Sequence, residues 1–180
     1  MKNRNGFVVV QKSPSVNRGR FNSIYRGVDR LVPWSKEKFG NGFNDPYLSA
    51  KYTTDDGFIR NLPLAKEVVS YFSEIVGSDN LEILYIMERS GAEELGSLPG
   101  RGLSVLGFDV AGNESPFYSI VNDFPPPSEV SFQGFREQLN ENGLLGSVDL
   151  AREYLTVYLQ RYPEERDQEF VIWEVYLSTD

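Results

Sequence analysis

The segment from Phe170 to Leu177, Phe-Val-Ile-Trp-Glu-Val-Tyr-Leu, constrains the fold more than any other part of the chain. Val171, Trp173, Val175 and Leu177 alternate onto one face of an extended segment, and Phe170, Ile172 and Tyr176 onto the other. A strand with one wet face reads apolar then polar; a strand apolar on both sides lies inside a sheet rather than at its edge. Trp173 is therefore expected in the core, and the chain must supply neighbouring strands. Phe7 to Gln11 is rich in β-branched residues, Leu81 to Met87 is a continuous apolar run, and Val105 to Ala111 alternates. In the last of these, Leu106, Phe108 and Val110 are expected on one face and Val105, Gly107, Asp109 and Ala111 on the other. Phe117 to Val121 is expected to pair back across a Gly112-Asn113 turn, and Tyr47 to Thr53 reads as a further strand ended by Asp56-Gly57.

Three segments have helical spacing. Residues 63–76 place Ala65, Val68, Val69, Phe72, Ile75 and Val76 on one stripe, with Pro63 at a first-turn position and Gly77 where a C-cap is expected. Residues 148–161 carry the stripe Val148, Ala151, Leu155, Tyr158 and Tyr162, with Ser147 as N-cap and Pro163 as the stop. Between them, residues 129–141 are expected to form a shorter helix with Val130, Phe135 and Leu139 inward, after the stiff spacer Pro125-Pro126-Pro127. The order β, loop, β, α, β, β, β, α, α, β gives an α+β fold with a mainly antiparallel sheet and helices packed on one face. At 180 residues the chain reads as a single domain, 1–180, with a basic, loop-rich segment at about 1–46.

Composition removes much chemistry. The chain has no cysteine and no histidine, so disulfides, thiolate nucleophiles, His-based triads and His or Cys metal sites are excluded. Gly100-Arg101-Gly102 with Gly107 lacks the spacing and the following helix of a phosphate-binding loop. Asp55-Asp56 and Glu93-Glu94 are paired carboxylates, but adjacent residues rarely converge on one cation. No cofactor is expected. A carboxylate- or metal-dependent hydrolase is the alternative reading, and whether carboxylates converge is not legible from sequence. No run approaches the roughly 20 apolar residues that span a bilayer, and the polar start Met1-Lys2-Asn3-Arg4 is not a secretory signal. A cytoplasmic protein without membrane contact is expected.

Charge is divided unevenly. Residues 1–40 hold nine Lys/Arg against two acids, a net of +7, whereas residues 41–180 hold nine against 24, a net of −15. The basic segment either packs across the acidic body or meets a partner of its own. Arg18, Arg20 and Arg26 interleaved with Phe21 and Tyr25 would suit single-stranded nucleic acid, a third reading. The acidic body repels phosphate and attracts a cationic protein. Tyr and Trp are common interface anchors, and Tyr154, Tyr162 and Tyr176 lie in the acidic C-terminal third without a decisive periodicity; Tyr158 and Trp173 read as core. Tyr154 and Tyr162, the acids Glu164, Glu165 and Asp167 after the Pro163 stop, and Asp109 inside an apolar strand are the candidate partner-binding residues. Asp109 is equally a structural acceptor at the sheet surface.

Between Leu81 and Leu177 the chain resembles small bacterial immunity proteins that accompany polymorphic or contact-dependent toxins. The residues that carry the resemblance are Leu106-Gly107-Phe108-Asp109-Val110-Ala111, Phe117-Tyr118-Ser119-Ile120, Leu139-Asn140-Glu141-Asn142-Gly143-Leu144-Leu145, the helix through Tyr154 and Leu155, and Phe170 to Tyr176. The resemblance implies a non-enzymatic cytoplasmic inhibitor whose partner is a cognate, cationic toxin protein.

Overall fold

Strand pairing decides the architecture. The computed structural model describes residues 4–12, 28–31, 54, 58–77, 79, 81–89, 102–112, 119–123 and 129–179. Five strands, β1 (Asn5–Lys12), β2 (Val28–Leu31), β3 (Leu81–Glu88), β4 (Leu103–Gly112) and β5 (Phe170–Ser178), form one antiparallel sheet in the order β2-β1-β3-β5-β4. β5 is paired on both sides, to β3 through Leu84↔Leu177 and to β4 through Asp109↔Trp173, as its two-sided apolar pattern requires. β2 was hidden within a segment whose Asn, Gly, Pro and Arg content reads as loop. The residues expected to form a strand at Tyr47–Thr53 lie outside the described residues.

The helices are α1 (Leu62–Val76), a short turn α2 (Ile120–Asp123), a short α3 (Gln133–Glu137) and α4 (Val148–Arg161). α1 starts where its caps dictate: Asn61 Oδ1 accepts a bond from the Leu64 amide at 3.0 Å, Pro63 occupies the first turn, and Gly77 follows at φ 83°. α4 starts at Ser147, whose hydroxyl accepts from the Leu150 amide at 3.1 Å. α1 buries Ala65, Val68 and Phe72 against Phe7, Val9, Ile83 and Tyr85. α4 buries Ala151, Tyr154 and Tyr158 against Val110 and Ile172. Register places Phe7, Val9, Tyr85, Ile172 and Val110 on one side of the sheet, so the helices share that face. On the opposite face Val8, Val10, Leu84, Ile86, Trp173 and Val175 pack with Phe58 and Leu144.

Three expectations are corrected. The helix expected over 129–141 is a 3-10 turn (Val130–Phe132) running into the five residues of α3; Phe132 turns inward and Val130 turns out, 77 % exposed. Ser119 bridges Ala111, as a returning hairpin strand would, but Ile120–Asp123 then coils into α2. Phe117 and Tyr118 lie outside the described residues. Leu106 does not share a face with Phe108 and Val110. A register shift between Val105 and Gly107 breaks the two-residue alternation, and Leu106 packs with the Trp173 cluster while Phe108 packs under α4. Gly107 carries this bulge at φ 145°, where a Cβ would stand 2.8 Å from both Leu144 Cβ and the Leu145 carbonyl.

A side-chain clasp seals the bulge. The Asn140 amide donates to the Leu106 carbonyl at 2.7 Å, and its Oδ1 accepts the Asn142 and Leu144 amides at 3.0 and 3.1 Å. The same loop then exchanges two backbone bonds of 2.9 Å between Leu145 and Phe108, closing the outer edge of β4 there.

Candidate interaction surface

The site predicted from sequence sits where α4 ends, the chain turns through Pro163–Glu165 and β5 begins. Beneath that corner lies a group of rings. Phe132 meets Tyr154 at 5.3 Å and Tyr162 at 6.4 Å, and Tyr158 meets Tyr162 at 5.0 Å and Phe170 at 5.5 Å between centroids. Rings at these distances and tilts contribute beyond the area they bury.

The tyrosine hydroxyls divide the candidates. Tyr154 is 2 % exposed and donates to the Ile120 carbonyl at 2.6 Å. It binds α4 to α2 and is out of reach of a surface partner. Burial, reinforced by Asp109, holds its pKa well above the usual phenol range. Tyr158 is buried and donates to Glu165 Oε2 at 3.0 Å; burial and then that carboxylate raise its pKa. Glu165 is half-buried and engaged with Tyr158, so of the three acids named from sequence only Glu164 and Asp167 stand on the surface. Neither has an ion-pair partner among the described residues.

Asp109 is fully buried. Its Oδ1 accepts from Ser119 Oγ at 2.6 Å and from the Val110 amide at 2.8 Å. It ties the start of the returning segment to β4, the acceptor role, and does not line a groove. Tyr162 is half-buried. The Arg161 guanidinium lies 5.5 Å from its ring and pairs with Glu129 at 3.2 Å. Through Glu129, the exposed Val130 joins the same corner. The exposed Val130 is the feature sequence reasoning missed. Its helical spacing pointed Val130 inward, and only the 3-10 turn rotates it out.

The corner therefore holds the half-buried Tyr162 with the exposed Glu164 and Asp167 in the turn that follows it, and the exposed Val130 next in sequence to Glu129, the partner of Arg161. Comparison with family models, curated proteins and solved structures finds no match for the chain. The corner is thus read on its own geometry. No group of three or more acidic side chains that could hold a metal ion occurs among the described residues, and no described helix is long and apolar enough to cross a membrane. Arg18, Arg20, Phe21, Tyr25, Arg26, Asp55, Asp56, Glu93 and Glu94 lie outside the described residues.

A second polar group lies at the far end of β3. Arg4 Nε donates to Glu88 Oε2 at 2.9 Å, with its guanidinium 5.1 Å from the Trp173 ring. On the helix-covered face Arg89 pairs with Glu174 and reaches the Tyr176 hydroxyl at 3.5 Å. Burial, then the bond to Glu174, raises the Tyr176 pKa. Both pairs are internally neutralised, and they fix the register of β1, β3 and β5 rather than offering charge to a ligand.

Proposed function

We propose that this chain is an immunity-type inhibitor that binds and neutralises a cationic toxin protein through the acidic corner after α4. One observation carries the reading: two exposed carboxylates without ion-pair partners among the described residues, Glu164 and Asp167, lie in the turn that follows the half-buried Tyr162. A tyrosine held on one side by Phe132 and Tyr158 is preorganised to anchor a partner. The −15 carried by residues 41–180 supplies long-range attraction. The immunity-type role rests on the resemblance through β4, the Asn140 loop, α4 and β5, and it makes the cytoplasm the site of action.

The test is stopped-flow association with the cognate toxin domain, for the wild type and for Glu164→Lys with Asp167→Lys. Both positions are exposed, so the double variant should melt with the wild type. Exposed charges are screened over about 8 Å at physiological ionic strength. The wild-type on-rate should therefore fall steeply with salt, and the double reversal should lower both the rate and its salt slope. An unchanged on-rate and slope would remove this corner as the recognition surface.

A further inference from the structure

We infer that the first half of β4, Leu103 to Val105, is an open sheet edge that receives an extended, Lys- or Arg-bearing segment of a partner protein as a sixth strand. β4 is an outer strand of the sheet. The chain closes that outer edge itself over its second half. Asn140 takes the Leu106 carbonyl, Leu145 pairs with Phe108, and Ser119 bridges Ala111. Closure stops at Leu106. Among the described residues nothing pairs with the outer side of Leu103, Ser104 or Val105, and Val105 is 57 % exposed.

The phase of the pairing fixes which groups point out. Leu103 stands opposite Ser178, and the Thr179 amide donates to the Gly102 carbonyl at 2.8 Å. Gly102 and Ser104 therefore turn their backbone groups toward β5, and Leu103 and Val105 turn theirs outward. Leu103 and Val105 each present an N–H and a C=O outward, two residues apart, which is the complement of an extended peptide. The exposed Val105 side chain selects an apolar cross-strand neighbour. The exposed Glu141, next to the Asn140 that clasps this edge, and the acid excess of residues 41–180 favour basic residues in the added segment. The same excess, repeated on a second copy, disfavours self-pairing over so short an edge.

The probe is a synthetic peptide alternating Lys and Val, added to the full chain and followed by amide hydrogen exchange. In the free protein the Leu103 and Val105 amides should exchange fast and the Ser104 amide slowly; the peptide should protect the first two. Val105→Pro removes an outward N–H and no bond to β5, so the fold should persist while peptide affinity drops about tenfold or more. Leu103 and Val105 amides already protected in the free protein, or equal affinity for Val105→Pro, would overturn the inference. So would a concentration-dependent dimer that Val105→Pro abolishes, which would give the edge to a second copy. Glu164→Lys and Asp167→Lys touch none of these residues, so failure here and failure of the acidic corner are separate results.

Discussion

The two helices on the covered face of the sheet solve the same packing problem with different side chains. α1 meets β1 and β3 through Ala65, Val68 and Phe72, residues with no hydrogen-bonding group to satisfy. α4 meets β4 and β5 through Tyr154 and Tyr158, each of which must also place a hydroxyl. Tyr154 places it on the Ile120 carbonyl and Tyr158 on Glu165. A purely apolar stripe fixes only depth and angle. A tyrosine stripe additionally fixes what lies at the ring's far end, here α2 and the turn before β5. The α4 half can therefore be core on its inner side and an ordered surface on its outer side, and the candidate partner site lies there.

The comparison can be broken first by truncation. Phe72→Ala should destabilise by about 3–5 kcal/mol, the usual range for a fully buried ring, with the loss read as a shift in the denaturation midpoint. A much smaller loss would mean that the α1 half yields to fill the cavity.

Alkaline pH tests both halves together. The raised pKa values of Tyr154, Tyr158 and Tyr176 mean that the folded state keeps protons that the unfolded chain has released above about pH 10. Below that pH both states are protonated and the stability is fully present. Above it, stability should fall by up to about 1.4 kcal/mol per pH unit for each such tyrosine. With no histidine and no cysteine, the profile through neutral pH should be nearly level. Phenolate absorbance should rise with unfolding for these rings rather than before it.

Smaller effects sharpen the difference. Tyr154→Phe leaves the Ile120 carbonyl without its hydroxyl donor and should cost about 1–3 kcal/mol, whereas Tyr158→Phe releases a half-buried carboxylate that water can reach and should cost about 1 kcal/mol. Equal losses in urea melts would contradict the assignment of the Tyr154 hydroxyl to the interior and the Tyr158 hydroxyl to a partly exposed carboxylate.

Sequence carried the parts of the fold that local rules determine. Pro63 and Gly77 bracket α1, Ser147 and Pro163 bracket α4, and the two-sided apolar pattern of β5 demanded partners on both flanks. It failed where one local event reset a period. The bulge at Gly107 turned Leu106 away from Phe108, and the 3-10 turn at Val130–Phe132 exchanged the inward and outward residues. The candidate site was legible in its charge but not in its geometry. Glu164, Glu165 and Asp167 are near neighbours in sequence, yet only the fold shows that Glu165 already serves Tyr158. Asp109 and Tyr154 illustrate the same limit: the return of Ser119 and Ile120 along β4 was expected, but not that Ser119 would donate to Asp109 or that Ile120 would coil and offer its carbonyl to Tyr154.

The strand order has a consequence for synthesis. β5 is made after every other strand, yet it lies between β3 and β4, which have no direct pairing with each other in the finished sheet. While the ribosome is still extending the α4 half, β3 and β4 each present an unpaired apolar side, the state in which nascent chains pair wrongly or aggregate. The sheet can close only when β5 emerges and enters the gap. A chain cut just before Phe170 would lose more than one strand: β4 would have no route to the rest of the sheet, and the α4 half would fall away with it.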